Sequence, residues 1–441
     1  TMSHRSETTG HPSPALVDTS APGKNDATTT QPSETPWNVS APLPDEGVFE
    51  FVRRTQGDLD LACCGRILGS ANPYKEGDDS LGLAARDETM RRQARELIRQ
   101  TAWRQIEQYP LHSDDVLAFL RATTAAPPTV HPLVDATIGD LVTFLLESDE
   151  EGITDIMPWL SSDVIGCLVK LMSNSELIQV AGKVFNPLPG TQIGARGYLG
   201  AWVQPNSPTD HPDDIFWQVL DAWAYGVGDV LLGTNPVSSD PESVHQVETV
   251  LQHLLETFEL TDVMPHCVLA HIDVQAEVEK RHPGSTELWF QSIAGTDSAN
   301  QTFDVSVQKL LEYAAGRTGP YAFYFETGQG ADFTNGHGHG FDMVLHESRK
   351  YGLARGLSQR VAEARRRAGM PETPWVHVND VAGFIGPEVF RTREQLVRCC
   401  LEDIVMGKLH GLCIGLDVCS TLHMDISLDD LDWCLEQIMH L

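Results

Sequence analysis

The sequence predicts an α/β protein built from parallel βα units behind a helical N-terminal region. Two observations carry this. From Phe49 to about Gly182 the apolar residues recur at helical spacing. Beyond Pro187 the texture changes to short apolar runs separated by longer amphipathic segments, which is the pattern of strands alternating with helices.

The N-terminal stretch 1–46 is rich in Ser, Thr, Pro, Gly and Asp and poor in large apolar side chains, so it reads as a disordered tail. A helical region at 47–186 follows. Its clearest segments are Asp87–Tyr109, Asp114–Arg121 with Ser113 as N-cap, and Asp163–Met172 after Ser161 and Ser162.

The third region, 187–441, holds the βα units. Strands are expected at Tyr198–Gln204, Asp229–Thr234, Cys267–Ile272, Leu288–Ile293, Ala322–Glu326, Trp375–Asn379 and Leu412–Asp417. The clearest helix between them is Pro241–Phe258. Asp240 caps it, Pro241 sits at its first position, and Val244, Val247, Leu251, Leu254, Leu255 and Phe258 form its apolar stripe. Seven units are one short of a closed (β/α)₈ barrel, so the last unit is expected from a missing segment or from another polypeptide.

The net charge is −31, from 62 acidic and 31 basic residues, which disfavours nucleic acid as a partner. Neither a membrane-length apolar run nor a signal pattern is present, and a cytoplasmic protein is expected. The nine cysteines are scattered, with Cys63–Cys64 and Cys399–Cys400 adjacent, and read as free, mostly buried thiols.

Polar residues recur at the C-terminal ends of the strands: Trp202, Gln204 and Asn206; Asn235 and Pro236; His271 and Asp273; Gln291 and Ser292; Glu326; Asn379 and Asp380; Asp417. In parallel sheets these ends share one face, where pockets form. Glu326, at the end of the strand YAFYFE, is the first candidate for a working residue, with a helix-capping role as its structural alternative. Carboxylates and amides with few cations suit a small amine or amino alcohol, each carboxylate matched to an ammonium. A metal-dependent hydrolase built on His271, His377 and Asp417 is a competing reading, but the first strand lacks a His-x-His pair and no metal is expected. GHGHG at Gly336–Gly340 reads as a flexible loop rather than a metal site.

The strings SNSELI, QPN at 204–206, YGVGDVLLGTNPV, VLAHI, FQSIAG, YFETGQG, YGLAR, GFIGPE, LEDIVMGKLHG and GLDVCSTLH, in this order, resemble the large subunit of ethanolamine ammonia-lyase. The resemblance implies a (β/α)₈ barrel and an adenosylcobalamin-dependent radical lyase that converts a short vicinal amino alcohol into an aldehyde and ammonia. It places Glu326 and Asp417 on the substrate's amino and hydroxyl groups, with Gln204, Asn235, Val381 and Phe384 as further substrate contacts. Pro236, Gln291 and Thr334 fall at cobalamin-contacting positions. A small cobalamin-binding subunit and further large subunits are the implied partners, and a bacterial microcompartment is a possible setting.

One departure stands out. Where the family reads A-R-x-Q-P-N, this chain has Ala201-Trp202-Val203-Gln204-Pro205-Asn206, so an aromatic replaces a substrate-binding arginine. Three readings of Trp202 stay open: its ring faces the ammonium, it shapes the pocket for another amino alcohol, or it marks a damaged site. A non-catalytic assembly paralogue is the alternative.

Overall fold

The computed structural model describes residues 41–124, 130–331 and 339–441. Thr334 and most of the Gly336–Gly340 loop lie outside them.

Helices run from Val48–Gln56 to Asn174–Ala181, as the apolar spacing requires. Glu46, assigned by sequence to the tail, is instead buried, and its carboxylate takes the Arg54 guanidinium at 2.6 Å. The expected helix Asp87–Tyr109 is two helices, Glu88–Gln100 and Trp103–Gln108. The break falls at Thr101, which turns extended: its hydroxyl accepts from Val48 N and its carbonyl from Ile138 N, tying three segments together. The cap of Asp115–Ala122 is Asp114, not Ser113, because the Asp114 carboxylate accepts from Leu117 N at 2.9 Å. Ser162–Leu171 starts at its Ser161 cap as expected, and Pro241–Thr257 at Asp240.

Among the described residues six strands follow: β1 Leu232–Thr234, β2 His266–Val268, β3 Trp289–Ser292, β4 Tyr321–Thr327, β5 Trp375–Asp380 and β6 Ile414–Leu416. All pair in parallel and in sequence order, β1 with β2 and β3 through β6 in turn. Leu288 N donates to His266 O at 3.2 Å, linking the approach to β3 with β2. Helices such as Ile272–Arg281, Val307–Gly316, Met343–Arg367 and Arg393–Leu409 lie between successive strands, the arrangement parallel crossovers demand.

The first expected strand, Tyr198–Gln204, is not formed as a strand; only Val203 bridges to Leu232. Glycines and turns at Gly194 and Gly197, both at positive φ, precede it, and the Tyr198 carbonyl accepts from Gly194 N, so the chain reaches β1 late.

Strand periodicity places alternate residues on two faces. One face packs Phe323, Phe325 and Val378 into the large core shared with the N-terminal helices. The other gathers Val230, Leu231, Cys267, Leu269, Leu288, Phe290, Tyr324, Trp375, Cys413 and Trp202 into a separate apolar cluster. Every strand contributes to or flanks this second cluster, and the site is built on top of it.

Candidate active site

The register sets the site in layers. Phe290, Tyr324 and His377 are level across β3, β4 and β5, and the next inward level holds Ser292, Glu326 and Asn379, with Gly415 of β6 beside Asn379. Asp417 lies just past β6, its N–H donating to Asp380 O at 2.8 Å.

The lower level is an aromatic floor. Tyr324 packs against Trp202 at 5.1 Å between ring centroids, against Phe290 at 5.8 Å and against His377 at 5.7 Å. Trp202 reaches it because Gly233 has no side chain: a Cβ there would sit 2.8 Å from the indole. Gly415 plays the same part on the opposite side, where a Cβ would lie 2.6 Å from Asn379 Oδ1 and 3.1 Å from His377 Nε2. Burial holds His377 neutral, its pKa brought down to about 4.

The upper level carries the acids. Burial lifts Glu326 to about 7; the Tyr324 hydroxyl, donating to its Oε1 at 2.9 Å, works against that rise and the charge of Asp417 adds to it. Asp417 is also raised by burial, with the Asn379 amide opposing. Asn379 Nδ2 completes no well-formed hydrogen bond among the described residues, although it is buried. No Lys or Arg among the described residues pairs with either carboxylate. Two half-buried acids that act on one another, an amide without a well-formed hydrogen bond and a neutral floor make a site that a cationic ligand could complete.

The remaining expected residues are placed as follows. Gln204 is half-buried just past the Val203 bridge, and Asn235 and Pro236 follow β1, the asparagine exposed. Val381 is half-buried and donates its N–H to Thr327 O, while Phe384 is 66% exposed on the loop after β5. Gln291 is buried, its Oε1 accepting from Ile272 N and its Nε2 donating to Ser292 O. His271 caps the helix Ile272–Arg281 through Nδ1 and bonds Phe303 O through Nε2, which engages both ring nitrogens away from the acids. His339, from the glycine loop, stacks on His112 at 4.6 Å.

The motif reading missed a second acidic group, on the opposite face of β5. Asp380, Asp403 and Cys399 bring ligand atoms within 4.8 Å of one another, and Cys399 Sγ donates to Asp403 Oδ2 at 3.3 Å. Around them, Lys75 pairs with Glu402 at 2.5 Å, Lys350 with Glu347 at 2.9 Å and Arg398 with Glu402 at 2.7 Å. Gln329 of the ETGQG turn joins Glu402 and Lys75. The available signal was charge inside an otherwise apolar helix, as in LEDIVMGKL.

Two carboxylates without a lysine or arginine partner among the described residues, at the C-terminal ends of parallel strands, stand where α/β proteins form their ligand pockets. The family follows from comparison. Residues 61–440 match the family model described as Ethanolamine ammonia lyase large subunit (EutB). The chain is 33% identical over 374 residues to the ethanolamine ammonia-lyase large subunit of Escherichia coli (strain K12), covering 81% of this chain and 78% of that protein. It is 32% identical over 373 residues to the large subunit from Salmonella typhimurium strain LT2, with the same coverage. The chain therefore belongs to the ethanolamine ammonia-lyase large-subunit family. Among the described residues, no helix is long and apolar enough to cross a membrane.

Proposed function

We propose that this chain is the large subunit of an adenosylcobalamin-dependent ammonia-lyase acting on a short vicinal amino alcohol, ethanolamine or a close relative. The family supports the lyase chemistry; the observation that carries the substrate class is the Glu326–Asp417 pair, half-buried, near one another and without a lysine or arginine partner among the described residues. An alkylammonium supplies the missing positive charge and returns Glu326 to its ionised form, which is the form that grips it.

In this reading Glu326 takes the amino group and Asp417 the hydroxyl. The Asn379 amide, level with Glu326 and acting on Asp417, lines the same space. Gln204 and Asn235 enter from the first two strand ends, and Val381 and Phe384 close the pocket from the loop after β5. Trp202 belongs to the floor, where its ring lies on Gly233 and Tyr324. A tryptophan at that level narrows the pocket and removes the family's fixed cation, so this chain carries a more negative site and selects for ligand charge.

The mouth suits a large planar cofactor. Phe384 and Val237 are 66% and 65% exposed beside the strand ends, apolar surface that a corrin face would cover. Pro236, Gln291 and Thr334 are the residues assigned to hold it; Gln291, whose amide is bonded within the chain, contributes as wall. When bound, adenosylcobalamin supplies the radical that takes hydrogen from the carbinol carbon. The chain's own residues hold the amine, exclude water from the pocket and keep the migrating group beside Glu326. We infer a (β/α)₈-type barrel as the frame, a small cobalamin-binding subunit as partner, assembly with other large subunits and a cytoplasmic setting.

The test is turnover. The chain co-produced with a small subunit, given adenosylcobalamin and a panel of short amino alcohols, is expected to release ammonia and an aldehyde from at least one. Absence of both product and cobalt–carbon cleavage across the panel would refute the proposal.

A further inference from the structure

Among the described residues one side chain holds the Glu326 carboxylate. Among the described residues, Tyr324 is the side chain that donates to it, Oη to Oε1 at 2.9 Å, while Oε2 accepts no hydrogen bond. The two residues are two apart on β4 and so point to the same face, the phenol one level below the carboxylate.

The tyrosine itself has no freedom to leave. It is fully buried, and Trp202, Phe290 and His377 pack on its ring from the strand-one segment, β3 and β5, at 5.1, 5.8 and 5.7 Å. A glutamate at a strand end has several rotamers of similar energy, and an unanchored one spreads its charge over all of them. A phenol fixed by packing on three sides selects one.

We propose that Tyr324 is the positioning residue of this site: it holds Glu326 in a single orientation, with Oε2 presented to the ligand's ammonium. The inference rests on the reading that Glu326 takes the amine. It assigns to a floor residue, invisible as a ligand, the task of aiming the charge above it. The titratable groups that face Glu326 are Tyr324, Asp417 and the buried Cys267 thiol, whose own pKa is raised well above the ordinary value, so a change at the tyrosine is read at the carboxylate with Asp417 as the other charge in view. Removing the phenol leaves burial and Asp417, both of which raise Glu326, without the bond that opposes them.

The experiment uses the full chain co-produced with its small subunit. The Glu326 carboxylate is titrated by difference infrared spectroscopy, with Glu326→Gln as the blank, and ethanolammonium chloride binding is measured by calorimetry. In Tyr324→Phe the titration is expected to move upward by about one pH unit, the size of one hydrogen bond to a charged group. Ethanolammonium should bind roughly tenfold more weakly at pH 7 and regain most of that loss above the new midpoint. A purely structural tyrosine would not move the titration, so an unchanged Glu326 midpoint in Tyr324→Phe overturns the proposal. Should that variant not fold, the unsubstituted protein gives the same answer: the tyrosine ultraviolet band must follow the Glu326 titration and cease to do so in Glu326→Gln, and a band that ignores the titration overturns the proposal. If Glu326→Gln still binds ethanolammonium while Tyr324 governs the titration, the functional reading fails and the positioning role stands. If Glu326→Gln abolishes binding and Tyr324→Phe changes nothing, the reverse holds.

Discussion

The two faces of the β4–β5 pair carry acids that differ in one respect, their company. On the helix-covered face, Glu402 sits between Lys75 and Arg398; burial works to raise it, and the two cations outweigh burial and bring it down to about 2. Near it, Lys170 holds Asp342 at 2.5 Å and keeps that acid below the ordinary carboxylate range against its burial. Not every acid there is held down: burial and Asp342 lift Asp78 to about 6, and Asp380 and Asp403 are raised well above the ordinary range by burial and by neighbouring acids, Glu347 among them. On the inward face, Glu326 and Asp417 have no lysine or arginine partner among the described residues and both are raised. Paired acids tie the helical region to the sheet; unpaired ones at a strand end are left for a ligand. The difference also gives Glu402 and Glu326 opposite pH signatures. A depressed Glu402 stabilises the fold above about 4.5 and loses that contribution as pH falls toward 2. An elevated Glu326 binds its proton more tightly when folded, so the fold loses stability as pH rises from 4.5 through 7.

The largest effect is expected from breaking the paired side. Lys75→Met leaves Glu402 buried without its lysine and should cost about 3–5 kcal/mol in urea unfolding. The double variant Lys75→Met/Glu402→Gln should recover much of that loss, and no recovery would show that the pair itself is not what is disrupted.

Glu326→Gln should act in the opposite sense on stability. It leaves the fold unchanged below pH 4.5 and gains up to about 3 kcal/mol above pH 7, because the amide carries no charge to desolvate. The same variant should lose amine-dependent turnover by roughly a hundredfold or more. A variant that loses stability at pH 8 would place Glu326 with the structural acids and erase the contrast.

Gly233→Ala tests the floor. The new methyl meets the Trp202 indole and should cost about 1–3 kcal/mol, and adding Trp202→Phe should return part of it if the tryptophan is what the methyl strikes. The smallest change is expected from Asn379→Ala, less than about 1 kcal/mol in stability, since its Nδ2 makes no well-formed hydrogen bond and loses only its weaker contact with Asp417. Asp417 should then titrate higher, seen by infrared difference, because the Asn379 amide is what opposes its rise.

Much of this was legible along the chain. The strand YAFYFE announces itself by its apolar run, and its observed limits, Tyr321–Thr327, enclose the expected ones. Asp240 and Pro241 mark a helix start that the structure reproduces. Glu326 was legible because an acid directly after an apolar strand has nowhere to go but the strand end. Strand one was not: a single bridge at Val203 is a tertiary outcome, decided by the glycine turns before it, although its local pattern is apolar enough. Asp114 took the cap from Ser113 because both are good caps and the choice lies in backbone geometry one residue either way. The ion network around Lys75 was hidden for a different reason. Its members come from positions as far apart as 75, 329, 347 and 402, and no local spacing joins them.

What the sequence determined by itself was the alternation of strand and helix, the helical region before it, and the acids and amides at the strand ends. Those follow from periodicity and from residue chemistry, which are local. The tertiary structure alone decided which acids would find a cation. Pairing depends on which side of a strand a carboxylate leaves and on what packs there: Asp380 and Asn379 are adjacent in the chain, yet one faces helices carrying lysine and arginine and the other an aromatic floor without them. Trp202 shows the same division. Its identity is plain in the sequence, and its place beneath Glu326, on Gly233 and Tyr324, is set only when the strands align.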